Sequence, residues 1–93
     1  MRGIIRQGVD ISTGHCFFPR PCITGSPNVL VNNIPACSKG DFYPFHTCGK
    51  SGHTGNALSS SNVFVNNKPI HRSADPISCG DFAGLGSPNV FAN

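Results

Sequence analysis

Apolar residues come in short bursts along this chain, with no helical stripes. Val29-Leu30-Val31, Val63-Phe64-Val65 and Val90-Phe91 each follow an Asn and are bounded by Ser, Asn, Gly or Pro. β-Branched and aromatic runs with such borders read as short strands. Asn32-Asn33 and Asn66-Asn67 then supply two residues tolerant of left-handed backbone, as a tight hairpin turn requires. Pro35 and Pro69 follow, so each return strand lies at an edge or ends early. Val29 and Val31 fall on one side of their strand and Leu30 on the other, and the Val63/Val65/Phe64 and Val90/Phe91 runs repeat this. Strands apolar on both faces need cover on both. Leu30, Phe64 and Phe91 therefore read either as core or as an apolar triangle on one base of the molecule, covered by a partner.

The bursts belong to a repeated phrase. Residues 25–35, "GSPNVLVNNIP", and 59–69, "SSSNVFVNNKP", share seven of eleven positions, and 86–93, "GSPNVFAN", share six of eight with the first. Asp41 and Asp75 fall on the same phase downstream, and "RQGVD" ending at Asp10 resembles the tail of a further unit. Units this short cannot bury an apolar face alone, so they pack on one another. The expected fold is a small, loop-rich all-β domain of short hairpin repeats, pseudo-threefold if the three parts surround an axis.

Composition narrows the class. Eleven glycines and eight prolines in 93 residues argue against long helices, and 38% hydrophobic residues without Trp leave a modest core. A staple is expected: disulfides, a metal or a partner. The first residues lack the apolar run of a signal peptide, and no stretch is long and apolar enough to span a membrane. Synthesis in the cytoplasm is expected, where disulfides are disfavoured. The five cysteines form no CxxC pair, against a zinc ribbon. The net charge of +3 is scattered, without the clustered basic residues of a nucleic-acid footprint.

The loops after the repeated aspartates carry the chemistry. His15 and His46 each lie five residues after Asp10 and Asp41, and Cys79 four after Asp75. His53, in the longest loop, "FYPFHTCGKSGHTG", supplies a fourth donor. Three His and one Cys make a closed tetrahedral site of the structural-zinc type, which would tie the three repeats together at one end. Cys48 is a rival ligand. Cys37 and His71 share a repeat position outside the ligand phase and read as packing or surface residues. Cys16 and Cys22 read as a short disulfide loop after export or as buried free thiols. Three of the four carboxylates sit at turn positions, where an Asp caps the next turn. No catalytic constellation emerges, and a closed four-ligand site leaves no position for substrate. The expectation is a non-enzyme.

The phrases "SPNVLVNNIPACSKGD" and "SSNVFVNNKPIHRSAD", each followed by a ligand-bearing loop, with the closing "SCGDFAGLGSPNVF", resemble PAAR-repeat proteins. Pro35-Ala36-Cys37-Ser38 and Pro69-Ile70-His71-Arg72 stand at the Pro-Ala-Ala-Arg positions, and Asn33 and Asn67 replace the usual Gly. The resemblance implies a small cone that caps a trimeric β-helical spike, VgrG-like or a phage central spike, in a type VI secretion system or contractile phage tail. It implies one metal near the point, held by His15, His46, His53 and Cys79: zinc, with iron as the other ion such donors accept. It also implies transient contact with a target membrane, effectors as further partners, and no nucleic acid. At this length the chain is expected to be one domain, 1–93, a bare tip without a fused toxin. The competing reading is a small zinc-binding nucleic-acid or interaction module, for which the loop around His46 offers Phe42, Tyr43, Phe45 and Lys50.

Overall fold

The computed structural model describes residues 2–14, 19–48 and 51–93. Its elements are strands: β1 Arg2–Gly3, β2 Leu30–Val31, β3 Ile34–Pro35, β4 Phe42–Cys48, β5 Ser51–Asn56, β6 Phe64–Val65, β7 Lys68–Pro69 and β8 Phe91–Ala92. No helix occurs among the described residues. The strands pair antiparallel as β2–β3, β4–β5, β6–β7 and β1–β8.

Two pairs are the hairpins that the repeated phrase predicts. Asn32 and Asn33 turn at φ 55° and 66°, and Asn66 and Asn67 at 50° and 69°. Positive φ at both central residues gives a turn whose twist matches the flanking strands. Both return strands end at their proline. The third copy pairs with the N-terminal segment instead: Gly3 lies opposite Phe91 and Arg2 opposite Ala92. This is the register of Pro35 with Leu30 and of Ile34 with Val31. The stretch ending at Asp10 is therefore the return half of the third unit, and it closes the ring.

The three units meet in a closed cycle of main-chain hydrogen bonds. Ile5 N–H donates to the His71 carbonyl (3.0 Å), His71 N–H to the Cys37 carbonyl (2.9 Å), and Cys37 N–H to the Ile5 carbonyl (2.9 Å). Equivalent bonds recur further out, where Gly8, Gly40 and Ala74 donate to the carbonyls of Cys22, Ala57 and Ala83. The pseudo-threefold symmetry thus lives in the backbone, while the side chains differ from unit to unit. Ile5, Cys37 and His71, the three residues of the cycle, are all fully buried.

Two stacked clusters fill the axis. Val31, Val65 and Ala92 pack with Ile4, Ala36 and Ile70 at the hairpin end, and Ile5, Cys22, Cys37, Tyr43, Ala57 and Ile77 belong to the next layer. The molecule is elongated, 37 × 23 × 21 Å.

Leu30, Phe64 and Phe91 are 56%, 61% and 47% exposed, so they do not belong to the core. Their neighbours Val31, Val65 and Ala92 turn inward, which leaves three apolar side chains at matching positions of the three hairpins. Side-chain hydrogen bonds link each hairpin to the next. The Asn32 amide contacts Ser87 and Asn89 (2.7 and 3.0 Å). The Asn66 amide donates to Ser26 and Asn28 (both 3.1 Å), and the Ser61 hydroxyl donates to the Asn93 carbonyl.

The repeated aspartates work backwards. Asp10, Asp41 and Asp75 accept the main-chain N–H of Arg6 (2.9 Å), Ser38 (2.6 Å) and Arg72 (2.8 Å), closing the turn that precedes them, not the one that follows. Arg6 and Arg72 also clamp their aspartate through the guanidinium; Ser38 offers only a hydroxyl, at 3.3 Å. Cys22 is a buried free thiol, and Cys16 lies outside the described residues.

Candidate metal centre

Beyond the aspartates, the three units differ in how much strand pairing they carry among the described residues. In the first, Ile11 pairs with Pro21, and in the third Pro76 pairs with Phe82, as isolated bridges. The middle one carries β4–β5, the segment read from sequence as the longest loop; it is instead a hairpin with seven residues in β4 and six in β5. Its Pro, Gly and Thr content and broken alternation hid the strands.

A bulge explains the break. Tyr43 lies opposite Gly55 and His46 opposite His53, so three steps along β4 match two along β5. Strict alternation from the buried Tyr43 would send His46 outward. With one extra residue inserted at Pro44-Phe45, Phe45 faces solvent and His46 turns in, only 4% exposed. Pro44 suits the interruption because it has no N–H to give to the ladder. His46 and His53 are then direct cross-strand neighbours, with ring centroids 4.6 Å apart and planes tilted by 59°.

Cys79 comes from the tip of the third hairpin. Gly80 N–H donates to the Ile77 carbonyl (2.9 Å) with Gly80 at φ 97°, a conformation open to glycine at no steric cost. The resulting turn sets Cys79 Sγ 3.8 Å from His46 Nε2. Gly55 makes this approach feasible. A Cβ there would come within 2.7 Å of Ile77 Cγ2 and 3.1 Å of Cys79 Sγ.

Ligand atoms of His46, His53 and Cys79 lie within 4.8 Å of one another. In a tetrahedral zinc site with Zn–N about 2.0 Å and Zn–S about 2.3 Å, the N···S edge is about 3.6 Å. The donor set and its spacing therefore fit a metal ion with little rearrangement. Of the four residues expected to hold it, the structure brings these three together. His15 lies outside the described residues, as does the side chain of the rival Cys48.

Sequence reading missed Asp81. It is buried, and its carboxylate accepts from Thr13 Oγ1 (2.8 Å), Gly14 N–H (3.0 Å) and Phe82 N–H (2.7 Å). Burial pushes the carboxyl upward, but hydrogen bonds from Phe82, Thr13, Ser12 and Gly14 prevail and hold it below the ordinary carboxylate range. Asp81 thus fastens the segment leading to His15 onto the hairpin that carries Cys79. The signal was available: it is the one aspartate off the repeat phase, two residues after a candidate ligand.

A comparison with known families places residues 18–83 within the PAAR motif. The chain belongs to the PAAR-motif family. The match covers both full repeated phrases and three of the four candidate ligands, omitting His15. The PAAR family is one that sits on spike proteins. The chain is also 36% identical, over 78 aligned residues, to double-stranded DNA deaminase toxin A of Burkholderia cenocepacia (strain H111). That stretch covers 74% of this chain but 5% of the toxin, so this PAAR chain corresponds to a small part of that protein.

Proposed function

We propose that this chain is a spike tip: a structural cap that covers and sharpens the end of a trimeric β-helical spike, without catalysing a reaction. The observation that carries the reading is the exposed triad Leu30, Phe64 and Phe91, one from each hairpin of a pseudo-threefold frame. A trimeric β-fibre ends in open strand edges with threefold symmetry, which aggregate unless covered. A monomer that repeats one apolar contact three times around its own axis suits such an end. Cross-links among Ser, Asn and neighbouring hairpins hold the three contacts in one rigid face.

At the other end, a zinc or iron ion held by His46, His53 and Cys79, with His15 as fourth ligand, would join three hairpins of a chain with a small core. Bound there, the ion supplies cross-linking and no chemistry. The narrow, pinned end would lead through the target membrane, within a type VI secretion apparatus or a contractile phage tail, and effectors would travel with it.

The test is binding to the blunt end of a trimeric β-helical spike by the wild type and by Leu30→Glu, Phe64→Glu and Phe91→Glu. Each exposed substitution should leave the melting temperature near that of the wild type and weaken binding, and the triple variant should not bind. Unchanged binding by a folded triple variant would remove the triad from the interface and the capping model with it.

A further inference from the structure

Two thiols in the core take no part in the metal cluster. Cys22 and Cys37 are both fully buried, and each donates to the same acceptor, the Thr24 carbonyl, at 3.3 Å. That carbonyl is held in place, because Thr24 Oγ1 donates to Asp41 (3.0 Å) and accepts from Phe42 N–H (2.9 Å). Two sulfur atoms each 3.3 Å from one fixed oxygen are near neighbours, closed off from solvent. We infer that Cys22 and Cys37 are a redox pair that closes to a disulfide when the protein meets an oxidising environment.

The bond would enclose the whole first phrase, residues 25–35, and so tie β2–β3 to the segment entering it. This pairing differs from the Cys16–Cys22 loop that the sequence suggested as one reading of those two cysteines. The threefold frame shows why the pair is dispensable for folding. Ala57 and Ala83 occupy the positions equivalent to Cys22, and Ile5 and His71 those equivalent to Cys37. A thiol is thus required by packing at neither place, yet the first unit carries one at both.

The chemistry is thiol–disulfide exchange with a small-molecule disulfide. One thiol loses its proton and attacks oxidised glutathione, releasing one glutathione thiol. The second protein thiol then attacks the mixed disulfide and releases the other. The protein loses two electrons and two protons, and two glutathione thiols are formed. Contact with Cys22, then burial, pushes the Cys37 thiol well above its ordinary range, so the closed core protects the reduced pair. Oxidation then proceeds through transient opening of the buried core and is slow in the folded protein.

The experiment treats the purified metal-loaded protein with oxidised glutathione, alkylates the remaining thiols in denaturant and maps cysteine-containing peptides. The expected result is a Cys22–Cys37 linked pair, formed faster as mild denaturant is added and reversed by dithiothreitol. For a closed loop of this length the melting temperature should rise on the order of 10 °C. Cys22→Ala, which copies the residue of the other two units, should stay folded and show neither the link nor the rise. Full alkylation of both cysteines after oxidation, or a link from Cys22 to any other cysteine, would overturn the assignment.

Discussion

Tyr43 and His71 are joined across two units by a buried hydrogen bond of 3.0 Å, and the opposite ring nitrogen of His71 lies 2.9 Å from the Leu58 carbonyl. A carbonyl can only accept, so Nδ1 carries a proton; burial disfavours a second proton on the ring, so Nε2 accepts from the Tyr43 hydroxyl. Both groups are therefore neutral in the fold, and burial pushes the His71 pKa below its ordinary 6.5. The unfolded chain thus binds this proton first as the solution is acidified. The stabilisation is complete above about pH 6.5 and is lost as pH falls toward the lower folded-state value. His71→Leu, which strands the tyrosine hydroxyl, should cost about 1–3 kcal/mol at pH 8. That gap should narrow between pH 7 and 5.5. A gap that stays constant over this range would contradict a neutral buried His71.

Ala74 stands in the left-handed region at φ 69°, where its counterparts are Gly8 (74°) and Gly40 (96°). A Cβ costs about 1–2 kcal/mol in that conformation, while glycine gives back part of this through the unfolded chain. Ala74→Gly should raise stability by about 0.5–1 kcal/mol, read by chemical denaturation at constant metal. The reverse change, Gly40→Ala, has open space for its Cβ and should lower stability by a similar amount through backbone strain alone.

Gly55 separates metal affinity from ligand identity. Gly55→Ala leaves all donors in place but drives a methyl into Ile77 and Cys79. The metal content should be one ion per chain in the wild type and near zero in Cys79→Ser and in His46→Ala. Gly55→Ala should fall between, losing its metal to a chelator at least about tenfold faster, the equivalent of about 1.4 kcal/mol in the barrier.

Asp81→Asn keeps the shape but weakens the bonds to Thr13 and Gly14. Hydrogen bonds to a charged partner contribute about 1.5–3 kcal/mol, so a stability loss of that size is expected at neutral pH, with weaker metal retention. Because the folded-state carboxyls of Asp81 and Asp75 both lie below the ordinary value, their contribution is present above about pH 4. It should fade as pH drops further, and the variant should lose the Asp81 part of that acid limb. Asp75 reaches its low value against burial, through Arg72 and then Arg2.

The hairpins were legible because local chemistry dictates them: paired asparagines can turn left-handed, prolines stop the return strand, and both signals lie within eleven residues. The β1–β8 pair was only hinted at, since it joins opposite ends of the chain and its N-terminal half lacks the proline of the other two. Residues 42–55 were read as a loop because a bulge at Pro44-Phe45 shifts the side-chain phase, and no period of two survives in the sequence. The phase of His46 and Cys79 was visible from the repeat; for Asp81 only its off-phase position was, because its partners Thr13 and Gly14 are nearly 70 residues away. Alternation could not decide between burial and exposure for Leu30, Phe64 and Phe91, because that depends on whether anything lies beyond the hairpins. Among the described residues nothing covers them, and all three are exposed.

The central claim is that one pseudo-threefold chain caps one threefold spike, and native mass spectrometry of the complex tests it most directly. The expected species holds one copy of this chain for three spike chains, and remains so in excess tip. A complex with three copies per trimer, or no complex with the wild-type triad intact, would contradict it.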